Sequence, residues 1–263
     1  MNRGLACAAL LLLGLAGCGV SLVPPDRFGD GRISDEQWPA YLRLVEEKTA
    51  EPRSPEKMKE AVAIYEDMVA SRTGDFATML AATEASVWLA ENGETPADRS
   101  CYSELGIHFG RGAVKLWGWD ARPHYYLALA LGFHAREHPS KAMALISEME
   151  EHALEARNWN EGYDDAGPHR FLGLLYAQAP EPPSSIGDPA AAREHLERAL
   201  ELAPGSPENH AAMGEFLLDQ GEDERAREQI EKALEILASE EWRSRADAPR
   251  IRANAEELLK ELE

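Results

Sequence analysis

The chain has 263 residues, 47 of them Asp or Glu and 27 Lys or Arg, for a formal net charge of -20 at pH 7. A surface that acidic repels nucleic acid and anionic lipid headgroups, and it favours solubility and cationic partners. With 44% hydrophobic residues the chain is long enough to bury a substantial core in one elongated domain or two lobes.

At the N-terminus, Arg3 precedes an apolar run from Leu5 to Leu15, which has signal-peptide length and is too short to span a bilayer. The run ends in Leu15-Ala16-Gly17-Cys18, which resembles the lipobox of bacterial lipoproteins. The resemblance implies that residues 1–17 are removed, that Cys18 is acylated, and that the mature chain is anchored to a membrane through that lipid. Each buried acyl methylene contributes about 0.8 kcal/mol, so several chains on one cysteine hold firmly. Gly19 in place of Asp fits, by the same resemblance, an outer-membrane lipoprotein facing the periplasm. With Cys7 removed and Cys18 acylated, Cys101 is the remaining thiol, so no intramolecular disulfide supports the fold.

Residues 18–33 carry Pro24, Pro25, Gly29 and Gly31 and read as a flexible tether. Asp26, Asp30 and Ser34 stand at positions 1, 5 and 9 of a loop that resembles an EF-hand, with Gly31 at the sharp turn. Phe28 replaces a ligand oxygen, Gln37 replaces the bidentate glutamate, and Pro24-Pro25 occupy the place of the entering helix. Calcium needs six to eight oxygens, so this is a degenerate calcium candidate. The competing reading is a turn closed by a capping box between Ser34 and Gln37.

Residues 34–263 read as one all-α domain. Ala, Leu, Glu and Arg dominate, apolar positions recur at helical spacing, and no segment alternates like a strand. Ser54-Pro55, Thr95-Pro96, Asp188-Pro189 and Ser206-Pro207 each put a capping oxygen before a proline that needs no donor. Asn92-Gly93 and Gln220-Gly221 read as helix stops. These signals divide the chain into about eleven helices in antiparallel hairpins. Within 206–238, Gly214, Leu217, Gly221, Ala226, Ile230 and Ala233 resemble a tetratricopeptide repeat (TPR), in which a small residue on the first helix admits the second. Within 167–204, Gly173, Tyr176, Ala192, Leu196, Ala199 and Pro204 resemble a second, stretched by a proline-rich insertion from Ala179 to Gly187. Asp247 to Glu263 fits a helix capping the open end. The first half carries only cryptic traces, Ala61, Tyr65 and Met68 among them.

Two constellations invite chemistry. His134-Ala-Arg-Glu137-His138 matches the H-x-x-E-H pattern of inverted zinc peptidases, but Pro139 places His138 at the end of the helix or in the turn. Trp117, Trp119, Tyr125, Tyr126 and Phe133 concentrate aromatics in a short region, as a ligand or partner surface or as core between hairpins. Tyr163-Asp164-Asp165 reads as a polar connection. The sequence has no phosphate-binding loop and no G-x-S-x-G elbow, so we expect no enzyme and no cofactor.

The stretch from Gly167-Pro-His-Arg-Phe-Leu to Gly173 and Tyr176, the loop Ala179–Pro189 and the helix Ala191–Pro204 are similar to TatT-type lipoproteins, the T components of TRAP transporters. Cys101 to Leu116 is similar to another helix of that family. The resemblance implies a periplasmic helical body that assembles as a homotrimer, a pore through each subunit, and a TRAP-type periplasmic solute-binding protein as partner. Apolar or weakly polar organic ligands would pass between them, and the aromatics Trp117 to Phe133 are the expected lining. The competing function is a TPR scaffold for pilus, secretion or outer-membrane assembly that binds peptide segments in its concave groove.

Overall fold

The computed structural model describes residues 32–243 and 245–262. The signal peptide, Cys18, Asp26 and Asp30 lie outside the described residues, while Ser34 lies within them. The described residues form twelve helices and no strand: α1 (Trp38–Thr49), α2 (Pro55–Ser71), α3 (Phe76–Asn92), α4 (Pro96–Leu116), α5 (Ala121–Glu137), α6 (Pro139–Trp159), α7 (Tyr163–Gln178), α8 (Pro189–Leu202), α9 (Pro207–Asp219), α10 (Asp223–Leu237), α11 (Glu240–Arg243) and α12 (Ala248–Lys260). The helix beyond the expected eleven is α11, a single turn whose Trp242 is buried against Leu237 and Ile251. None of the described helices is long and apolar enough to cross a membrane.

The local signals in the sequence set the helix starts. Ser54 Oγ accepts from the Lys57 N–H, Thr95 Oγ1 from Asp98, Asp188 from both Ala190 and Ala191, and Ser206 Oγ from Asn209. Each satisfies a donor that the first turn leaves orphaned, at about 1 kcal/mol apiece. Before α1, the Ser34 N–H donates to Gln37 Oε1 at 3.0 Å and the Gln37 N–H to Ser34 Oγ at 3.3 Å, so the capping box forms. At the other end of the helices, Gly93 caps α3, and Gly221 takes φ +70° after α9, a conformation open to glycine at little cost.

The helices pair as successive hairpins, α1/α2 through α9/α10, and α12 lies against α10 and α9. Tight crossings depend on small residues. A Cβ on Gly173 would stand 2.6 Å from Leu196 Cγ, and one on Gly214 2.6 Å from Ile230 Cγ1. Leu196, Leu217 and Ile230 are fully buried in the space so created. The cores run on from hairpin to hairpin, from Tyr41 and Met58 at the start to Ile251 and Leu258 at the end.

Candidate functional site

The first helices of the hairpins, α3, α5, α7 and α9, line one side of the array, and α12 takes the next place in line. Together with parts of α2 and α6 they enclose a groove of about 1580 Å³, to which α4, α8 and α10 contribute no side chain. Its apolar wall includes Trp88, Tyr126, Phe133, Met143, Ile146 and Phe171.

Of the aromatics singled out in the sequence, Tyr125, Tyr126 and Phe133 line this groove and Trp117 and Trp119 do not. The division falls at a helix boundary. Trp117 is the C-cap of α4 and Asp120 the N-cap of α5, so both tryptophans sit in the turn between helices. Trp117 is 52% and Trp119 71% exposed, and Trp119 meets Trp159 edge to face at 5.9 Å. From Tyr125 onward the helical period turns the remaining aromatics inward.

Across the floor of the groove runs a chain of polar contacts that bridges distant helices. Tyr125 Oη donates to Asp164 Oδ2 at 2.6 Å. Arg170 reaches Tyr125 Oη at 3.3 Å, Asp164 Oδ2 at 3.2 Å, Asn209 Oδ1 at 2.8 Å and Glu208 Oε2 at 3.4 Å. Arg250 then pairs with Glu208 at 3.0 Å and with Glu91 Oε1 at 3.1 Å, so that α12 closes back onto α3. The signs alternate along this chain, three carboxylates with two arginines between them, so neighbouring charges offset each other inside the groove. Burial, then the Asp164 carboxylate, pushes the Tyr125 phenol well above its usual range. Burial opposes the charge of Arg170, but Tyr125, Glu208, Asp164 and Asp165 outweigh it and raise its pKa. Burial raises the Glu91 carboxyl as well, against the pull of Arg250.

Asp164, Asp165 and Ala166 take φ of 51°, 51° and 63°, three successive non-glycine residues in the left-handed region. Each such residue costs on the order of 1 kcal/mol or more unless its surroundings fix it. Here Arg170 Nη1 donates to the carbonyls of Asp164 and Asp165, and Asn209 Nδ2 donates to the Asp165 carbonyl at 2.8 Å. Gly167 completes the turn, because a Cβ there would collide with the Tyr125 hydroxyl. The stretch expected to be a polar connection is thus a turn held against the groove. Sequence reasoning named Tyr125 and Asp164 but missed Arg170, Glu208, Asn209 and Arg250; the signal available was one arginine beside Phe171 and Leu172 in an otherwise apolar helix face.

The His134 motif is divided in two. α5 ends at Glu137 and His138 caps it, yet the His134 and His138 rings come within 4.4 Å of each other. Glu137 receives Arg99 Nε at 2.7 Å, and that ion pair occupies the carboxylate a peptidase would need free to activate water.

A family model of known proteins bears on the second half of this array. Residues 187–244 match the tetratricopeptide-repeat model. The chain is similar in structure to a thermophilic TPR protein of Thermus thermophilus, with TM-score 0.60 and 19% identity over 84% of this chain and 98% of that one. It is also similar to the MamA protein, with TM-score 0.52 and 20% identity over 78% of this chain and 93% of that one. No curated protein sequence matches significantly. Residues 187–244 are thus of the tetratricopeptide type, and the helical array shares the fold of the thermophilic TPR protein.

Proposed function

We propose that this chain is a cell-envelope TPR lipoprotein, anchored through Cys18 in the outer membrane, whose groove serves a TRAP-type solute-binding protein in the periplasm. The groove carries the reading. Its volume of about 1580 Å³ exceeds the roughly 300–1,000 Å³ of an ordinary small-molecule site. Its walls are largely aromatic and aliphatic, and Arg170 and Arg250 are paired with carboxylates, so it suits a weakly polar organic ligand or a partner segment. The resemblance of residues 167–204 to the TatT-type proteins names the partner class and implies the homotrimer.

Crosslinking and affinity capture of the full-length protein from its own membranes tests the partner. Recovery of a TRAP-type solute-binding protein is expected, whereas recovery of pilus, secretion or assembly components would replace this reading with the scaffold. A Cys18→Ser chain should move to the soluble fraction; its retention at the membrane would remove the anchor from the account.

A further inference from the structure

Away from the groove, the first half of α4 and the last turn and C-cap of α5 bring Glu104, His134 and His138 together. One ligand atom from each lies within 4.8 Å of the other two. The serines beneath them are arranged as orienting partners. Ser103 Oγ donates to the Ser100 carbonyl at 2.8 Å, so toward His134 it offers a lone pair. His134 Nδ1 stands 3.1 Å from that oxygen and must carry the proton, which leaves Nε2 as the free lone pair. An outer hydrogen bond that fixes the tautomer in this way is the usual companion of a metal-bound imidazole. Ser100 Oγ holds the second ring through His138 Nε2 at 2.6 Å.

We propose that Glu104, His134 and His138 form a binding site for a late first-row divalent ion, zinc foremost, which clamps α4 to the junction of α5 and α6. Two imidazoles and a carboxylate suit zinc, cobalt, nickel or copper, while calcium and magnesium demand oxygen donors. Glu104 is exposed and His138 half-buried, so an ion enters from solvent and keeps at least one water. With Glu137 tied to Arg99, the site binds without a free carboxylate to activate that water. On the same helix Phe133 and Arg136 face the groove, so an ion on His134 and His138 also steadies that part of its wall.

The test is a titration with cobalt(II), followed by its visible absorption and displaced by zinc, on the Cys101→Ser chain so that the nearby thiol cannot compete. One saturable ion per chain is expected. Glu104→Gln and His138→Asn should each weaken binding more than about tenfold, and Ser103→Ala by about tenfold. Glu104 is on the surface, so its substitution leaves the fold intact, which circular dichroism without metal verifies. No saturable absorption, or an affinity unchanged in both ligand variants, would overturn the proposal.

Discussion

In the C-terminal hairpins the glycines Gly173 and Gly214 sit on the first helix and admit Leu196 and Ile230 from the second, within one repeat. In the N-terminal half the glycines sit on a second helix. Gly106 and Gly110 of α4 face Ala130 and Leu127 of α5, across the boundary between repeats. Gly112 of α4 meets Met79 of α3 within the hairpin, so the same steric device tightens only the hairpin in one half and both the hairpin and the contact between hairpins in the other. The family match covers 187–244, which takes in Gly214 and leaves out Gly173 together with the N-terminal half. A related contrast runs along the first helices. His124, His169 and His210 hold equivalent places, but they bond to His152, His195 and Gln229 respectively.

The largest effect is expected where the groove joins the halves. Arg170→Met takes the donor from the Asp164 carbonyl and leaves Asp164 Oδ2, Glu208 and the Asp165 carbonyl with one partner fewer each, and should cost at least about 2 kcal/mol in urea unfolding. A loss under half of that would mean that the turn holds itself. Next, Gly173→Ala and Gly214→Ala should each cost about 1–3 kcal/mol through overpacking. Gly106→Ala, whose Cβ would meet Ala130 Cβ at the looser 3.1 Å, should cost less. Equal losses in both halves would erase the distinction.

A smaller effect depends on pH. Burial, then His169, lowers the His195 imidazole from 6.5 to about 4 in the folded chain. Its neutral form is favoured by folding, so stability is full above pH 6.5 and falls as the pH drops toward 4. His195→Gln, which copies Gln229 of the next repeat, should flatten that slope in thermal melts at pH 7 and pH 5. An unchanged slope would assign the acid loss to other groups. The smallest effect is expected at the exposed turn: Trp119→Ala should shift stability by no more than about 0.5 kcal/mol, and a larger loss would make the contact with Trp159 structural.

The parts of the fold that were legible in the sequence are the ones that local chemistry decides. The capping oxygens of Ser54, Thr95, Asp188 and Ser206 act within three residues of themselves, and each stands where it was read. The insertion after Gln178 and the final helix were legible for the same reason. The groove was legible only in part. Tyr125, Tyr126 and Phe133 follow the period of α5 into it, whereas Trp117 and Trp119 precede the helix and lose that orientation. The return of α12 to Glu91 depends on the summed rotation of all the hairpins, which no local pattern encodes. The left-handed turn at Asp164 depends on Arg170, Asn209 and Tyr125, side chains brought to it by three different helices.

The most direct test of the groove as the binding surface is site-specific photocrosslinking in the native envelope, with the probe placed at Phe133 in one chain and at Trp119 in another. If the groove holds the partner, capture occurs from Phe133 and from no probe at Trp119. Capture from Trp119 with none from Phe133 would contradict it and move the binding surface to the exposed tryptophans.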